Sequence, residues 1–388
     1  MEATLFDELQ QTIQSDGPAK AIDQLCAQLR ERKDYGSLFY AMLLKKRHEL
    51  GVSPLPTGPS NELPEKVLDE YEEGIRVAGR LVGGLFLEEG NIPQAYGYFK
   101  MLNELEPVRT ALEKYELPEG QDAQPIIELA FHHGAHPRRG FEWVLERFGI
   151  CSAITAMGSY MNSGNFPHGT QARDDCLKLL IRSLHAQLVQ RLHYDITRKE
   201  GKAPESQSVA ELIAGRDWLF EDDNYHVDVS HLSSVVQMSS QLPKCEELAL
   251  LRELCQYGQH LSPQFLGQGD PPFEDIHKDY GHYYNIIAGV NVEEGLAHFR
   301  NKAENPDPDD PANRAAEVLV NLYLRVDRPA DALAAARQFL VGADDRNLTC
   351  PSITELCRKV NDYRTLSEVA KERGDAVNFL AGLIAAKA

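Results

Sequence analysis

Imidazole is the side chain that most readily ligates first-row metals and moves protons near neutral pH, and this chain concentrates it. Twelve of its thirteen histidines fall between His132 and His298. Four clusters combine them with carboxylates and phenols: Phe131-His132-His133-Gly134-Ala135-His136-Pro137; His185 followed by His193-Tyr194-Asp195; Tyr225-His226-Val227-Asp228-Val229-Ser230-His231; and the run from Glu274 to Tyr284 that holds His277, Asp279 and His282. A carboxylate three residues before a His shares its helix face, the spacing used by carboxylate-bridged metal bundles. Asp228/His231, Glu274/His277 and Asp279/His282 all have it. His226-x-Asp228 also opens a two-His-one-carboxylate arrangement suited to zinc or iron, for which His133, His136 or His193 would supply the distant ligand. Without a metal, His226 and Asp228 form a candidate general-base pair. Arg138 and Arg139, beside His136, offer guanidinium groups to an anionic substrate.

Each of these residues also has a plainer role. Ser230 reads as the N-cap of a helix over 231–241, with Asp228 as a second capping acceptor. Pro137 reads as the start of a helix over 138–148, which leaves the first three histidines in a loop. His282 fits a hydrogen-bonded core position, and the arginine pair fits a solvated helix turn. Other chemistries have less support. The stretch GSYMNSGNF (158–166) lacks the Lys of a phosphate loop, no GxSxG elbow occurs, and Cys151 sits in an apolar context that predicts an inert core thiol.

The elements that must position these residues are helices. Apolar residues recur at helical spacing along nearly every long segment, and alternating strand-like runs are almost absent, so the fold class is all-α. The clearest helices are expected over 19–33, 35–50, 64–89, 94–105, 171–198, 244–260 and 311–325. Proline- and glycine-rich breaks fall at 51–64, 117–125, 199–208, 261–275 and 304–313. Two of them are long for connections within a domain, as lids and functional loops are. The acidic run at 307–310 reads as a solvated turn.

Composition bounds the function from outside. The chain has 388 residues, two to three domains by length, and a formal charge of −19 from 40 basic and 59 acidic residues. That balance argues against nucleic acid as a partner, since phosphate binding needs clustered positive charge. No apolar run approaches the roughly eighteen residues of a membrane span, so no membrane partner is expected. The N-terminus lacks the basic and apolar regions of a signal peptide. Seven scattered cysteines without a CxxC predict reduced thiols in a cytoplasmic location rather than a disulfide frame.

An internal repeat supplies the architecture. Between Gly79 and Pro107, Gly83 and Phe86 occupy one helix, Gly90-Asn91 the turn, and Ala95 and Phe99 the next helix, which Pro107 ends. A second copy places Ala316, Leu319 and Tyr323 before an Asp327-Arg328 turn, and Ala332 and Ala336 after it. Gly295 and Phe299 following Val290-Asn291 form a weaker third copy, and Ala21 and Leu25 a fourth. In the third copy Tyr283 stands where a small residue belongs, which predicts either splayed helices or a polar pocket there. This pattern resembles the tetratricopeptide-repeat superfamily, best over the first and last hundred residues. The resemblance implies a helix-pair solenoid whose concave surface binds a partner protein or peptide. The irregular, His-rich helical middle departs from it.

The expected organisation is therefore N-terminal repeats (1–121), an irregular middle segment with a candidate pocket (122–270) and C-terminal repeats (271–388). Two functions follow. One is a helical-repeat protein that binds a partner protein or peptide. The other is a metal-dependent enzyme, hydrolytic or oxygenase-type, acting on a small molecule. For the enzyme, His226, Asp228 and Arg138 are the candidate catalytic residues. Its candidate ligands for a first-row divalent metal (Zn or Fe) are His226, Asp228, His231, His277, His282, His133 and His136.

Overall fold

The computed structural model describes residues 2–55, 63–118, 120, 122–161, 166, 169–306 and 312–387. The acidic run at 307–310 and residues 162–165 of the glycine-serine stretch lie outside the described residues. Within them the chain is helical, with no β-structure beyond an isolated antiparallel bridge between Gln268 and Asp275. The chain forms two compact units, Met1–Arg147 and Phe148–Ala388. The sequence-derived boundaries at 121 and 270 fall inside these units.

The first unit contains α1 (Glu2–Asp16), α2 (Pro18–Glu31), α3 (Tyr35–Glu49), α4 (Glu65–Glu88), α5 (Ile92–Leu102), α6 (Glu106–Lys114), the short α7 (Gln124–Ile127) and the beginning of α8 (Pro137–Met161). From α1 to α6 each helix packs on the next. Leu29, Tyr35, Leu38, Phe39, Ala78, Val82 and Leu85 form a core across α2, α3 and α4. The α4/α5 contact depends on glycine: a Cβ on Gly83 would lie 2.8 Å from the Phe99 ring. Asn91 caps α5 through the amide of Gln94. The helix ends at Leu102 with Asn103 in the left-handed conformation. Pro107 sits in the first turn of α6 rather than ending α5, because a helix start needs no donor from it. The segment assigned to α8 breaks at Gly149, whose φ of 75° is open to glycine at little cost.

The second unit begins with the remainder of α8 and continues with the long α9 (Gly169–Glu200), α10 (Val209–Ile213), α11 (Val229–Met238) and α12 (Glu247–Gly258). Leu177, Leu180, Leu184, Leu188 and Leu192 make the buried edge of α9, at the three- and four-residue spacing of one face. α9 packs against α10, α11 and α12. Then follow α13 (Ile276–Ala288), α14 (Val292–Glu304), α15 (Arg314–Arg325), α16 (Pro329–Phe339), α17 (Ile353–Val360), α18 (Tyr363–Glu372) and α19 (Ala376–Ala385), each packed on its predecessor. Ala316, Leu319, Tyr323, Ala332 and Ala336 are all buried.

The α13/α14 pair does not splay at Tyr283. It closes where Gly295 meets Ile286, a Cβ on Gly295 falling 2.6 Å from the Ile286 side chain. Tyr283 instead donates to Ser240 O and accepts from Arg325. The long 261–275 connection is tied down: Lys302 Nζ bonds Pro272 O at 2.6 Å, Glu274 at 2.5 Å and the buried Asp279 at 2.8 Å.

Candidate functional site

Three of the candidate residues, His226, Asp228 and His231, line one open cleft of about 560 Å³ in the second unit. One wall is a face of α9: Gln187, Gln190, Arg191 and Tyr194, all exposed. Their i, i+3, i+4, i+7 spacing aligns them over about 10 Å of helix. The Arg191 guanidinium lies over the Tyr194 ring, 5.5 Å from its centroid. The other wall is the extended approach to α11. Asp228 is the N-cap of that helix, its Oδ1 accepting from the amides of Ser230 and His231 and from the Ser230 hydroxyl. The cap is therefore Asp228 and not Ser230, and the helix starts at Val229. Hydrogen bonds from the Ser230 hydroxyl and the two amides hold the Asp228 carboxyl below its usual range. A carboxylate so engaged makes a poor general base for His226.

His226 is buried, its side chain 0 % exposed, as are Leu184 and Val227 of the same lining. Tyr257 of α12 holds it from behind. The Tyr257 oxygen accepts from the His226 amide at 2.7 Å and lies 3.0 Å from Nδ1. The Tyr257 hydroxyl and Nδ1 share one hydrogen bond, whose direction follows the tautomer of the ring. Burial keeps the ring neutral by pushing its pKa down; Asp195 opposes this and Arg191 adds to it. Nε2 itself reaches no acceptor. The nearest carboxylate oxygen, Asp195 Oδ2, is 3.6 Å away and in turn 3.8 Å from Arg191 Nε. Tyr257, His226, Asp195 and Arg191 thus form a row in which only the first link is at hydrogen-bonding distance.

The other candidates are elsewhere. His133 is exposed, stacked on Tyr96. His136 Nε2 pairs with Glu113 at 2.7 Å. Arg138 binds Glu113 and Glu142 at 2.9 and 2.5 Å, and Arg139 shares Glu142. Arg138 is thus spent on internal carboxylates instead of an anionic substrate, and it belongs to the first unit with His133 and His136. His193 is bonded to Ser206 O at 2.7 Å. His277 is buried against Gly258, with Nδ1 lacking a partner, and burial brings its pKa down to about 4. His282 lines a different groove and stacks on His298 at 4.3 Å. Cys151 is exposed and not a core thiol.

Among the described residues no group of three His, Cys, Asp or Glu side chains is placed to hold a metal ion. The convergence that the metal reading requires is not formed: His226 Nδ1 is taken by Tyr257, Asp228 Oδ1 by a helix cap, and His277 and His282 by other surroundings. Nor is any disulfide formed among these residues, or any helix long and apolar enough to cross a membrane.

Sequence reasoning did not single out Tyr257, Arg191, Gln187 or Gln190. Tyr257 was hidden in the apolar periodicity of its helix. The α9 residues carried a signal in their common face, but an exposed polar face is also what solvent alone selects. Comparison with protein families, with curated proteins and with solved structures finds no match to this chain.

Proposed function

We propose that the protein is a helical-repeat binding protein of tetratricopeptide type, and that its cleft between α9 and the start of α11 takes an extended peptide segment of a partner. The buried spacing of small and aromatic residues in α4/α5, α13/α14 and α15/α16 supports the repeat assignment. One observation carries the binding site: Gln187, Gln190, Arg191 and Tyr194 form one exposed polar face of α9 along an open cleft.

That face suits a peptide. Carboxamides both donate and accept, as peptide units do, so Gln187 and Gln190 match a main chain laid along α9. Arg191 offers a fork to an acidic side chain, and Tyr194 an aromatic face. The volume is within the range of ligand sites.

The test is selection of binders from a displayed random-peptide library on the full chain, followed by fluorescence polarisation with the winning peptide. A Gln190→Ala/Arg191→Ala variant, exposed enough to fold normally, should bind at least about tenfold more weakly, the loss of roughly 1.4 kcal/mol. Arg364→Gln, exposed on α18 and outside the cleft, should bind unchanged. Failure to select any peptide, or equal affinity for the cleft variant, defeats the proposal.

A further inference from the structure

The second unit contains another polar cavity, of about 450 Å³, between α12 and α13. α12 contributes Ala249, Arg252, Glu253 and Gln256 to it, and α13 contributes Lys278, Gly281, His282 and Asn285. Both sets have i, i+3, i+4, i+7 spacing, so each is one continuous helix face. Where two helices pack, such a face is ordinarily apolar. Here the small residues Ala249 and Gly281 leave space and polar groups surround it.

The charges in the cavity are not matched to one another. Glu253 is committed elsewhere: His185 Nε2 lies 2.7 Å from it, Ser208 Oγ donates at 2.6 Å and the Val209 amide at 3.1 Å. Burial acts to raise its pKa, but these hydrogen bonds outweigh it and the carboxyl stays ionised. Arg252 donates from Nε to Asn285 Oδ1 at 2.5 Å and has no carboxylate partner among the described residues. Asn285 thus orients the guanidinium while leaving its two terminal nitrogens for another acceptor. Lys278, exposed at the edge, likewise has no carboxylate partner among those residues. His282 is kept neutral by burial and by its neighbours His298 and Lys278. Glu294 of α14, exposed at the rim, disfavours a highly charged anion and can accept from a donor.

We infer that this groove is a binding site for a small polar molecule bearing one anionic oxo group, a carboxylate or a phosphate, seated on Arg252 with Lys278 closing over it. An oriented guanidinium fork with a movable ammonium is the pairing that suits such a group, and fixing the fork beforehand lowers the ordering cost of binding. The site is separate from the His226 cleft and does not depend on the peptide reading.

The test uses the full chain at constant ionic strength in sodium chloride, with inorganic phosphate and acetate as separate probes. Calorimetric titration and thermal unfolding are the readouts. Saturable binding of phosphate, weakened at least tenfold in Arg252→Gln and several-fold in Lys278→Gln, supports a phosphoryl ligand. The same pattern with acetate alone supports a carboxylate. Lys278 is exposed, so that variant remains informative if Arg252→Gln fails to fold. No saturable effect of either anion beyond that of chloride, or equal binding by wild type and Lys278→Gln, overturns the inference.

Discussion

His277 should act as an acid-labile point in the second unit, by an amount that can be worked out. Its side chain is buried beside Gly258, where a Cβ would lie 2.3 Å from the imidazole, and its Nδ1 has no partner. Burial brings the pKa from 6.5 to about 4, with Asp275 opposing. The folded-state pKa lies below the unfolded one, so the fold favours the neutral ring. Stability is whole above pH 6.5, falls as the unfolded chain takes up its proton, and levels off below pH 4. Linkage gives a loss of about 2 kcal/mol at pH 5 and about 3 kcal/mol when the step is complete. Carboxylates also titrate in this range, so the comparison must be with His277→Leu, which lacks the step but keeps the rest. The chain has two tryptophans; in a Trp143→Phe background, Trp218 reports the second unit alone. Urea unfolding followed by its fluorescence should show the wild-type advantage over the variant shrinking by about 2 kcal/mol from pH 7.5 to pH 5. Parallel stability curves would refute the reasoning, because a ring that is hydrated or paired in the fold has no such step.

Other expectations can be measured alongside. Gly258→Ala should cost about 1–3 kcal/mol by overpacking, seen as a lower urea midpoint of the second unit, since the new methyl meets the His277 ring. Gly83→Ala should destabilise the first unit by a similar amount through Phe99. Phe99→Leu should offset part of that loss, so a double-mutant cycle reports a non-zero coupling. Asp228→Ala should cost about 1 kcal/mol through loss of the α11 cap, and Asp228→Ser much less; thermal unfolding separates the two. Lys302→Met should cost about 1–3 kcal/mol, because it strips one partner from the buried Asp279, which keeps His298 Nε2 at 2.7 Å, and frees Pro272 and Glu274, which faster amide exchange over 269–275 would register.

The helices were legible because their signals are local. The periodicities over 35–50 and 171–198 recur as α3 and α9, and the repeat positions Gly83 and Phe99 fall where α4 and α5 pack, the Phe99 ring lying against the Gly83 backbone. Boundaries slipped where a local cue had two uses: Pro107 can stop one helix or start another, and Asp228 and Ser230 are both good caps. The histidines show what a sequence withholds. Their clustering is real, yet His136 finds Glu113, His193 finds Ser206 O and His277 finds Gly258, all pairings set by tertiary packing. The same packing takes Arg138 away from any ligand. The partner that defines His226 is Tyr257, thirty-one residues away, and no spacing rule links the two.

The central claim is that the cleft along α9 takes a peptide through its exposed face, with Gln190 and Arg191 in contact with it. Fluorescence polarisation with the selected peptide on wild type and on Gln190→Ala/Arg191→Ala tests it directly. The account predicts saturable binding by the wild type, weakened at least about tenfold in the variant. Equal affinity of the two proteins for the peptide would contradict it.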